Sequence, residues 1–215
     1  MEFSVENLCK SYGKRKVLNG LSLCANSGEC VGVIGRNGCG KSTLLSVIAG
    51  VADADSGDIR LSEVDIKNRI GYVPQGTPLY TELSAYDNLR MWYGKKELAA
   101  SLESGVCARL EINDFIKMPV RKMSGGMKKR VSICCAMAND PALLLLDEPT
   151  AALDIPCKDI IFDYLSECKR QGRIILLTTH SAEELEFCDR LYVLKDGIAE
   201  EITYNGSIKE LSEKL

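Results

Sequence analysis

The stretch ECVGVIGRNGCGKSTLL, residues 29–45, decides the fold class of this protein. It reads as a short apolar strand, then a glycine-rich turn, then an apolar helix. Residues 35–42 match the pattern G-x-x-x-x-G-K-[ST] of a phosphate-binding loop. The loop follows a strand and opens a helix, so a plain glycine-rich turn is the weaker explanation. The stretch therefore predicts an α/β protein that binds a phosphorylated ligand.

The residue types of this loop suit phosphate. Glycines let backbone N–H groups turn inward around phosphate oxygens, and the helix N-terminus adds a partial positive charge. Lys41 supplies a point charge for the β- and γ-phosphates, and the Ser42 hydroxyl is a candidate Mg²⁺ ligand. The loop alone does not separate kinases, GTPases and ATPases. The chain contains no Asn-Lys-x-Asp, which weakens a guanine-specific interpretation.

The rest of the chain alternates predicted strands and helices, which favours α/β architecture. Strands are predicted at residues 3–8, 17–23, 29–34, 58–61, 70–73, 142–146 and 173–179. Residues 190–194 and 198–203 flank Asp196-Gly197, a strong hairpin signal. Helices are predicted at residues 41–49, from 84 to about 114, after Ser124, and at 155–170.

Composition and charge exclude several classes of protein. The 215 residues are 46% hydrophobic and 27% charged, enough to bury a core without disulfides. A net charge of −3 argues against a general electrostatic grip on nucleic acid or anionic lipid. No run approaches about 18 apolar residues, and the N-terminus lacks a signal-peptide pattern. We expect any role at a membrane to come through a partner.

The chain has ten cysteines but a single histidine, His180. It contains no Cys-x-x-Cys pair, so common zinc spacings cannot be assembled. We expect reduced thiols in a reducing cytosol. Cys39 lies inside the phosphate-binding loop. At this position the backbone N–H is expected to serve phosphate binding, so a small side chain is tolerated. Its thiol is expected to make the protein sensitive to oxidation or alkylation.

A second segment with candidate chemistry is LLLLDEPT, residues 143–150. In a parallel α/β sheet, ligands bind at the carboxyl ends of the strands. Asp147 is placed there to hold Mg²⁺ through water. Glu148 faces another direction and is placed to orient and polarise an attacking water. The alternative, a strand that ends in ordinary surface acids, is disfavoured by the phosphate-binding loop upstream.

Further motifs stand in order along the chain, and together they resemble ATP-binding cassette (ABC) proteins over nearly its whole length. Met123-Ser124-Gly125-Gly126-Met127 is similar to the signature motif, usually Leu-Ser-Gly-Gly-Gln. Gln75 resembles the Q-loop glutamine, Ala152-Leu153-Asp154 the D-loop and Thr179-His180 the switch histidine. Tyr12 stands where the family places an aromatic side chain that stacks on adenine.

The resemblance implies a P-loop NTPase core with a small antiparallel β subdomain and a helical insertion. It implies one domain over residues 1–215, with the insertion at about residues 76–122. The implied ligands are ATP and Mg²⁺. The residues implied to bind nucleotide are Tyr12, Gly35, Asn37, Gly38, Cys39, Gly40, Lys41, Ser42, Thr43, Ser124, Gly125, Gly126 and Asp154.

The resemblance also implies roles in catalysis. Glu148 would be the general base, His180 would contact the γ-phosphate, and Ser42, Gln75 and Asp147 would complete the metal shell. Gln75 is thus implied in both catalysis and metal binding. In the family, the signature motif serves the ATP held by the opposite subunit.

The residues around the signature motif allow a physical interpretation of their own. Backbone N–H groups and the Ser124 hydroxyl at a helix start make a second anion site, although an ordinary N-cap is the simpler explanation. The helix that follows is predicted to carry one buried stripe, made of Val131, Cys134, Cys135 and Ala138. Lys128, Lys129 and Arg130 are predicted to form a solvated helix face.

The predicted function is ATP hydrolysis as a subunit of a membrane transporter. We expect a homo- or heterodimer of cassettes, a polytopic membrane permease, a place at the cytoplasmic face of the membrane, and no nucleic acid. Met127 in place of glutamine, followed by basic residues, is similar to exporters of drugs, lipids and polysaccharides. One alternative is a soluble cassette ATPase in DNA repair, ribosome work or iron–sulfur assembly. Another is a non-hydrolysing nucleotide binder, which the intact catalytic residues disfavour.

Overall fold

The computed structural model describes residues 1–62, 69–207 and Leu211, and its strands form two sheets. In chain order the strands are Glu2–Tyr12 (β1), Arg15–Asn26 (β2), Cys30–Ile34 (β3), Ser56–Leu61 (β4), Ile70–Val73 (β5), Leu143–Asp147 (β6), Ile174–Thr178 (β7), Arg190–Lys195 (β8) and Ile198–Ile202 (β9). The small sheet is antiparallel, in the order β2-β1-β4. The large sheet has the order β5-β6-β7-β3-β8-β9, and β9 is its antiparallel edge strand. This confirms the predicted α/β class with a separate antiparallel β region.

The first two strands are longer than predicted, and they form one hairpin. They run to Tyr12 and from Arg15, which pair across a tight turn at Gly13. The apolar pattern underestimates their length because one face of an antiparallel sheet can remain solvated, which permits polar residues at alternate positions. The predicted strands at residues 58–61 and 70–73 exist, but they belong to different sheets.

The helices are Lys41–Ile48 (α1), Ala85–Leu89 (α2), Lys95–Glu103 (α3), Val106–Arg109 (α4), Gly125–Ala136 (α5), Ile155–Arg170 (α6) and Ala182–Phe187 (α7). Short 3-10 helices span Ile112–Phe115 and Val120–Lys122. Residues 84 to about 114 are mainly helical, as predicted, but they form several short helices. Ser84 caps α2, and new helices begin after Gly94 and Gly105, because extended glycines at these positions interrupt the helical path. No helix of the described residues is long and apolar enough to cross a membrane.

The order of the large sheet positions the site. β3, β6 and β7 are fully buried, as their uninterrupted apolar sequences require in a parallel sheet covered on both faces. These three strands lie near one another and point the same way, so their carboxyl ends meet at one edge. β5 pairs parallel with β6, which brings the residues after Val73 to the same edge.

The last two strands confirm the predicted hairpin. Lys195 pairs with Ile198, and the two turn residues Asp196 and Gly197 have φ of 51° and 79°. Positive φ at both central positions is the geometry that favours Asp-Gly in such turns. The carbonyl of Gly197 also accepts a hydrogen bond from the Asn19 N–H, which ties this hairpin to the antiparallel sheet.

Candidate nucleotide-binding site

A cleft of about 980 Å³ opens at the carboxyl end of the large sheet, beside the first hairpin. It brings together most of the residues predicted to bind or hydrolyse nucleotide. Its lining residues are Tyr12, Arg15, Val17, Gly35, Arg36, Asn37, Gly38, Gly40, Lys41, Ser42, Thr43, Gln75, Glu148 and His180. Residues that lie far apart in sequence therefore share one solvent-open cavity with the phosphate-binding loop.

The phosphate-binding loop follows β3 and ends at Gly40, the residue before α1. Gly40 has φ of 116°, and an added Cβ would lie 2.8 Å from Val17 Cγ1, so a side chain does not fit there. No side chain caps α1, which leaves its first N–H groups available to an anion. Lys41 is 7% exposed, and its ammonium group donates hydrogen bonds to the carbonyls of Gly35 and Arg36, at 2.8 and 3.3 Å. The loop thus concentrates positive charge and N–H donors at one point.

The cleft wall beside the first hairpin contains residues that sequence reasoning missed. Tyr12, which was predicted, is 53% exposed at the cleft wall. Arg15 also lines the cleft and donates from Nη2 to the Gly38 carbonyl at 2.9 Å, which connects the first hairpin to the phosphate-binding loop. Val17 and Arg36 complete this wall. The sequence signal for Arg15 is weak, because only the hairpin pairing turns it toward a loop 23 residues away.

The three residues predicted as catalytic meet in the cleft. Gln75 donates from Nε2 to Glu148 Oε2 at 2.8 Å, and His180 Nε2 lies 3.7 Å from Glu148 Oε1. Glu148 has φ of 48°, a left-handed backbone conformation that is uncommon outside glycine and is found at functional sites. Its N–H donates to Thr178 Oγ1 at 3.2 Å, which fixes the turn after β6. The geometry places one carboxylate between an amide and an imidazole.

Asp147 lies beneath this group rather than in the cleft wall. Its side chain is 3% exposed, and Oδ1 accepts a hydrogen bond from the Thr178 hydroxyl. Within the described ranges, Asp147 forms no ion pair. A buried carboxylate without a paired cation, together with the hydroxyl of Ser42 and the amide oxygen of Gln75 in the cleft lining, provides hard oxygen donors of the kind that suit Mg²⁺. Thr178 was missed by sequence reasoning, although it ends a buried strand two residues before His180.

The signature and D-loop residues lie outside the cleft. Ser124 is the N-cap of α5, and its Oγ accepts a hydrogen bond from the Met127 N–H at 3.2 Å. Asp154 is the N-cap of α6, and its Oδ1 accepts from the Cys157 N–H at 3.0 Å. Gly126 packs so closely on Cys157 that an added Cβ would collide with its thiol. Ser124, Gly125, Gly126 and Asp154 therefore share one neighbourhood that does not include their own chain's phosphate-binding loop.

Cys39 is the one member of the phosphate-binding loop that does not line the cleft. Its side chain is partly buried against the hydrophobic core, and its N–H donates to the Arg36 carbonyl at 3.2 Å within the loop. All ten cysteines are free thiols. In the part of the chain that the structure describes, no group of three or more His, Cys, Asp or Glu side chains could hold a metal ion.

The prediction of a solvated basic face on α5 is wrong for two of its three residues. Lys129 is 5% exposed, and its Nζ donates to the carbonyls of Pro74 at 3.3 Å and Gln75 at 3.5 Å. Burial lowers the pKa of Lys129, and the nearby Asp147 and Glu184 carboxylates oppose that shift. Arg130 is also largely buried, and its guanidinium packs 4.9 Å from the Phe115 ring centroid. Helix α5 contacts protein on several sides, so a single apolar stripe does not describe it.

The predicted stripe itself is only partly correct. Val131 and Cys134 are fully buried, whereas Cys135 is half-buried and Ala138 lies beyond the last residue of α5.

The fold and the cleft are those of a known family. Residues 18–151 match the family model described as "ABC transporter". The chain belongs to the ABC transporter family. Its fold is that of an ATP-binding cassette.

Named relatives show the same relationship over most of the chain. A linearmycin resistance ATP-binding protein of Bacillus subtilis is 36% identical over 209 residues, which cover 89% of this chain and 66% of the relative. A Nod factor export ATP-binding protein of Sinorhizobium fredii is 40% identical over 205 residues, 89% of this chain and 59% of the relative. An uncharacterised ABC transporter ATP-binding protein of Methanocaldococcus jannaschii is 31% identical, over 100% of this chain and 80% of the relative. The chain thus spans about two thirds or less of the first two relatives.

Solved structures of other ATP-binding cassettes share the fold of this chain. A nucleotide-free ATP-binding cassette aligns with a TM-score of 0.86 at 26% identity, over 99% of this chain and 96% of that one. A dimeric cassette in a post-hydrolysis state, bound to ADP and Pi, aligns with a TM-score of 0.82 at 28% identity, over 94% of this chain and 98% of that one. The second structure is consistent with hydrolysis of ATP in this fold.

Proposed function

We propose that two copies of this cassette close head to tail around two ATP molecules and that closure drives export by a membrane subunit. One observation carries the proposal. The cleft of a single chain holds the phosphate-binding loop, Gln75, Glu148 and His180, while Ser124 and its neighbours lie outside that cleft on a second helix start. A second chain would bring its own Ser124 to the γ-phosphate. In this arrangement residues 1–215 act as one cassette, and residues 76–122 form the helical insertion.

In the proposed reaction, a water molecule attacks the γ-phosphorus while the bond to the β,γ-bridging oxygen breaks. Glu148 accepts the proton of the water, and the products are ADP and inorganic phosphate. Gln75 orients the Glu148 carboxylate through the 2.8 Å hydrogen bond, and His180, whose Nε2 lies 3.7 Å from Glu148 Oε1, would contact the γ-phosphate. Lys41 and the first N–H groups of α1 hold the phosphates in line.

Mg²⁺ fits the donors that the chain offers at this point. The Ser42 hydroxyl, the Gln75 amide oxygen and the Asp147 carboxylate would hold it, Asp147 through water as its depth suggests. Bound Mg²⁺ would neutralise charge on the phosphate oxygens. The buried Asp147 carboxylate is kept in position by Thr178 whether or not the ion is present.

The head-to-tail dimer is tested with two variants. Glu148→Gln should bind ATP without hydrolysing it, so light scattering should show a dimer with ATP and a monomer without it. Adding Ser124→Arg should prevent that dimer, because a large cation fills the pocket of the opposite γ-phosphate. Ser84→Arg is the matched control, since Ser84 is also a helix N-cap with a side-chain hydrogen bond. A dimer that persists in Glu148→Gln/Ser124→Arg would mean that Ser124 is only a helix cap.

The membrane subunit is proposed to dock on an apolar groove that adjoins the site. The groove has a volume of about 520 Å³, and its walls include Leu79, Tyr80, Met91 and Trp92. Tyr80, Met91 and Trp92 are 64%, 51% and 59% exposed, which is a large contiguous apolar surface for a monomer. The segment from Gln75 leads directly from the cleft into the groove. We propose that a short apolar segment of a polytopic membrane protein binds there and senses the nucleotide state.

The docking proposal is tested by photo-crosslinking in membranes that contain the partner. A crosslinker at Leu79 or Tyr80 should capture the membrane subunit. The control position is Ile198, which is 45% exposed on β9 at the opposite edge of the large sheet. Capture from Ile198 and not from Tyr80 would contradict this docking surface. Through this contact the cassette would lie at the cytoplasmic face of the membrane.

Export rather than import is favoured by the relatives, which are named for Nod factor export and linearmycin resistance. Met127 and the basic residues after it point the same way. The test is transport in inside-out vesicles that contain the co-purified membrane subunit. Added ATP should move cargo into the vesicle lumen, and ATP-driven release of cargo preloaded in the lumen of these vesicles would contradict export.

A further inference from the structure

Lys129 occupies an unusual place for a cation. It lies in the second turn of α5, five residues after the N-cap Ser124, and only 5% of it is exposed. Its ammonium group reaches the strand end after β5, where the carbonyls of Pro74 and Gln75 accept its hydrogen bonds at 3.3 and 3.5 Å. A lysine with this burial is costly unless its charge and its donors are used.

The environment of this ammonium group is negative but not paired. Among the residues that the structure describes, Lys129 forms no ion pair, and the carboxylates that act on it from a distance are Asp147, Glu148 and Glu184. The direct partners are neutral carbonyls of one short backbone segment. A hydrophobic residue would fill the same volume at lower cost, so the hydrogen bonds to this segment are the specific contribution of Lys129.

The segment that Lys129 holds is the one that carries Gln75. Gln75 is exposed, at the junction of a strand and a loop, where backbone is ordinarily mobile. Two contacts fix it: Lys129 on its backbone carbonyl and Glu148 on its side chain, at 2.8 Å. The same lysine belongs to the helix whose first residues follow Ser124. A single side chain therefore connects the start of α5 to the hydrogen bond that orients the catalytic carboxylate.

We infer that Lys129 is a positioning residue that fixes Gln75 against Glu148 and links this pair to the helix that begins at Ser124. When Ser124 meets the γ-phosphate of the opposite subunit, a displacement of α5 changes the position of Gln75 in its own cleft. The two ATP sites of the dimer are thereby coupled through one ammonium group. The coupling rests on the proposed head-to-tail dimer, whereas the positioning of Gln75 holds in a single chain.

The test is a double-mutant cycle. Lys129→Met keeps the length of the side chain and removes its donors, and kcat should fall about 10- to 100-fold, as for other residues that orient a catalytic group through a second residue. KM for ATP should stay within about twofold, because the residue does not touch nucleotide. In a Gln75→Ala background, Lys129→Met should lower kcat no further, since both changes remove one function. Lys129→Arg restores donors and charge and should recover most of kcat.

Two controls separate positioning from folding. Lys128→Met removes a neighbouring cation of the same helix that makes no contact with residues 74–75, and it should leave kcat unchanged. Hydrogen exchange of nucleotide-free protein should become faster at residues 75–77 in Lys129→Met and stay unchanged in β6. If Lys129→Met does not fold, Lys129→Leu, which also lacks donors, replaces it throughout with the same expectations.

The possible outcomes distinguish this inference from the dimer proposal. Equal loss of kcat in the wild-type and Gln75→Ala backgrounds would overturn the inference, as would unchanged exchange at residues 75–77. A wild-type chain that never dimerises with ATP would contradict the dimer proposal, and the exchange measurement on the monomer would still decide the positioning of Gln75.

Discussion

Two helices in this chain, α1 and α5, begin with backbone N–H groups of the kind that attract an anion, but the surroundings of the two helix starts differ. Helix α1 begins after Gly40, a glycine with φ of 116° and no side-chain cap. Helix α5 begins after Ser124, whose hydroxyl already accepts a hydrogen bond from the Met127 N–H. The first helix start opens into the cleft, and the second lies on the outside of the chain, next to the residues of the D-loop.

The two helix starts differ in the side chains that surround them. The start of α1 shares the cleft with Lys41, Gln75, Glu148 and His180, so the charge proposed to bind phosphate and the groups proposed to hydrolyse ATP lie together there. The start of α5 has N–H donors and a hydroxyl and none of these groups around it. A helix N-terminus by itself attracts an anion weakly. In the proposed dimer the second site acts together with a partner chain, and each variant below affects one of the two helix starts.

The largest effect is expected for Glu148→Gln, which acts on the side of α1. The variant keeps the size of the side chain and the contact with Gln75 but loses the proton acceptor. Single-turnover ATP hydrolysis should slow by about 10²- to 10⁴-fold, or about 3–5 kcal/mol of transition-state stabilisation. ATP affinity by calorimetry should be unchanged. Glu186→Gln, outside the cleft, is the control, and a Glu148→Gln rate within error of the wild type would remove Glu148 from the reaction.

The next effect is expected for Lys41→Ala, which removes the charge at the start of α1. The affinity for ATP should fall by about 2–5 kcal/mol, because a phosphate in the cleft would lose a buried, hydrogen-bonded cation. Equilibrium titration with a fluorescent ATP analogue measures the loss. Lys128→Ala, on the second helix, should bind ATP like the wild type. Retained affinity in Lys41→Ala would mean that the loop binds phosphate through backbone N–H groups alone.

A smaller effect is expected for Tyr12→Ala at the edge of the same cleft. Loss of stacking on adenine should weaken ATP binding by about 1–3 kcal/mol. Tyr12→Phe keeps the ring and should bind ATP normally. Calorimetry with ATP and with free triphosphate separates the base from the phosphates, because only ATP binding should respond to the ring. Equal affinity of Tyr12→Ala and Tyr12→Phe would make Tyr12 a structural residue of the hairpin.

The smallest effect is expected on the stability of α5. Ser124→Ala removes a side-chain cap and should lower the free energy of unfolding by about 0.5–2 kcal/mol, whereas Ser124→Gly should cost only a few tenths of a kcal/mol. Urea unfolding measures both. Because Ser124→Gly is nearly neutral for folding, loss of ATP-dependent dimerisation in the Glu148→Gln/Ser124→Gly protein would report the hydroxyl acting on phosphate. Full dimerisation of this double variant would mean that Ser124 serves only as the N-cap of α5.

Long-range contacts were the part of the site that sequence reasoning could not supply. The segment LLLLDEPT predicted both the buried strand and its two acids, because apolar runs and terminal carboxylates are local patterns. It did not predict that Thr178 holds Asp147 and the Glu148 N–H, which depends on the pairing of β6 with β7. The burial of Lys129 was missed for the same reason, since three adjacent basic residues are most often solvated.

The helical region shows a different limit. Residues 84–114 have good helix propensity and were predicted to be helical, and the structure divides them into three short helices and a 3-10 helix. Gly94 and Gly105 were visible in the sequence as interruptions. Their weight was underestimated because propensity summed over a long window hides single residues that begin new helices.

The sequence by itself predicted the motifs on which the proposed nucleotide chemistry of this protein rests. The phosphate-binding loop, the acids after β6 and the Asp196-Gly197 turn each depend on backbone geometry and residue types within about ten positions, and such local requirements are written directly in the chain. Only the tertiary structure decided which residues meet. Gln75 and Glu148, 73 positions apart, share a hydrogen bond because β5 and β6 pair in parallel. Strand order and helix packing, which arise from burial of the whole core, set that distance.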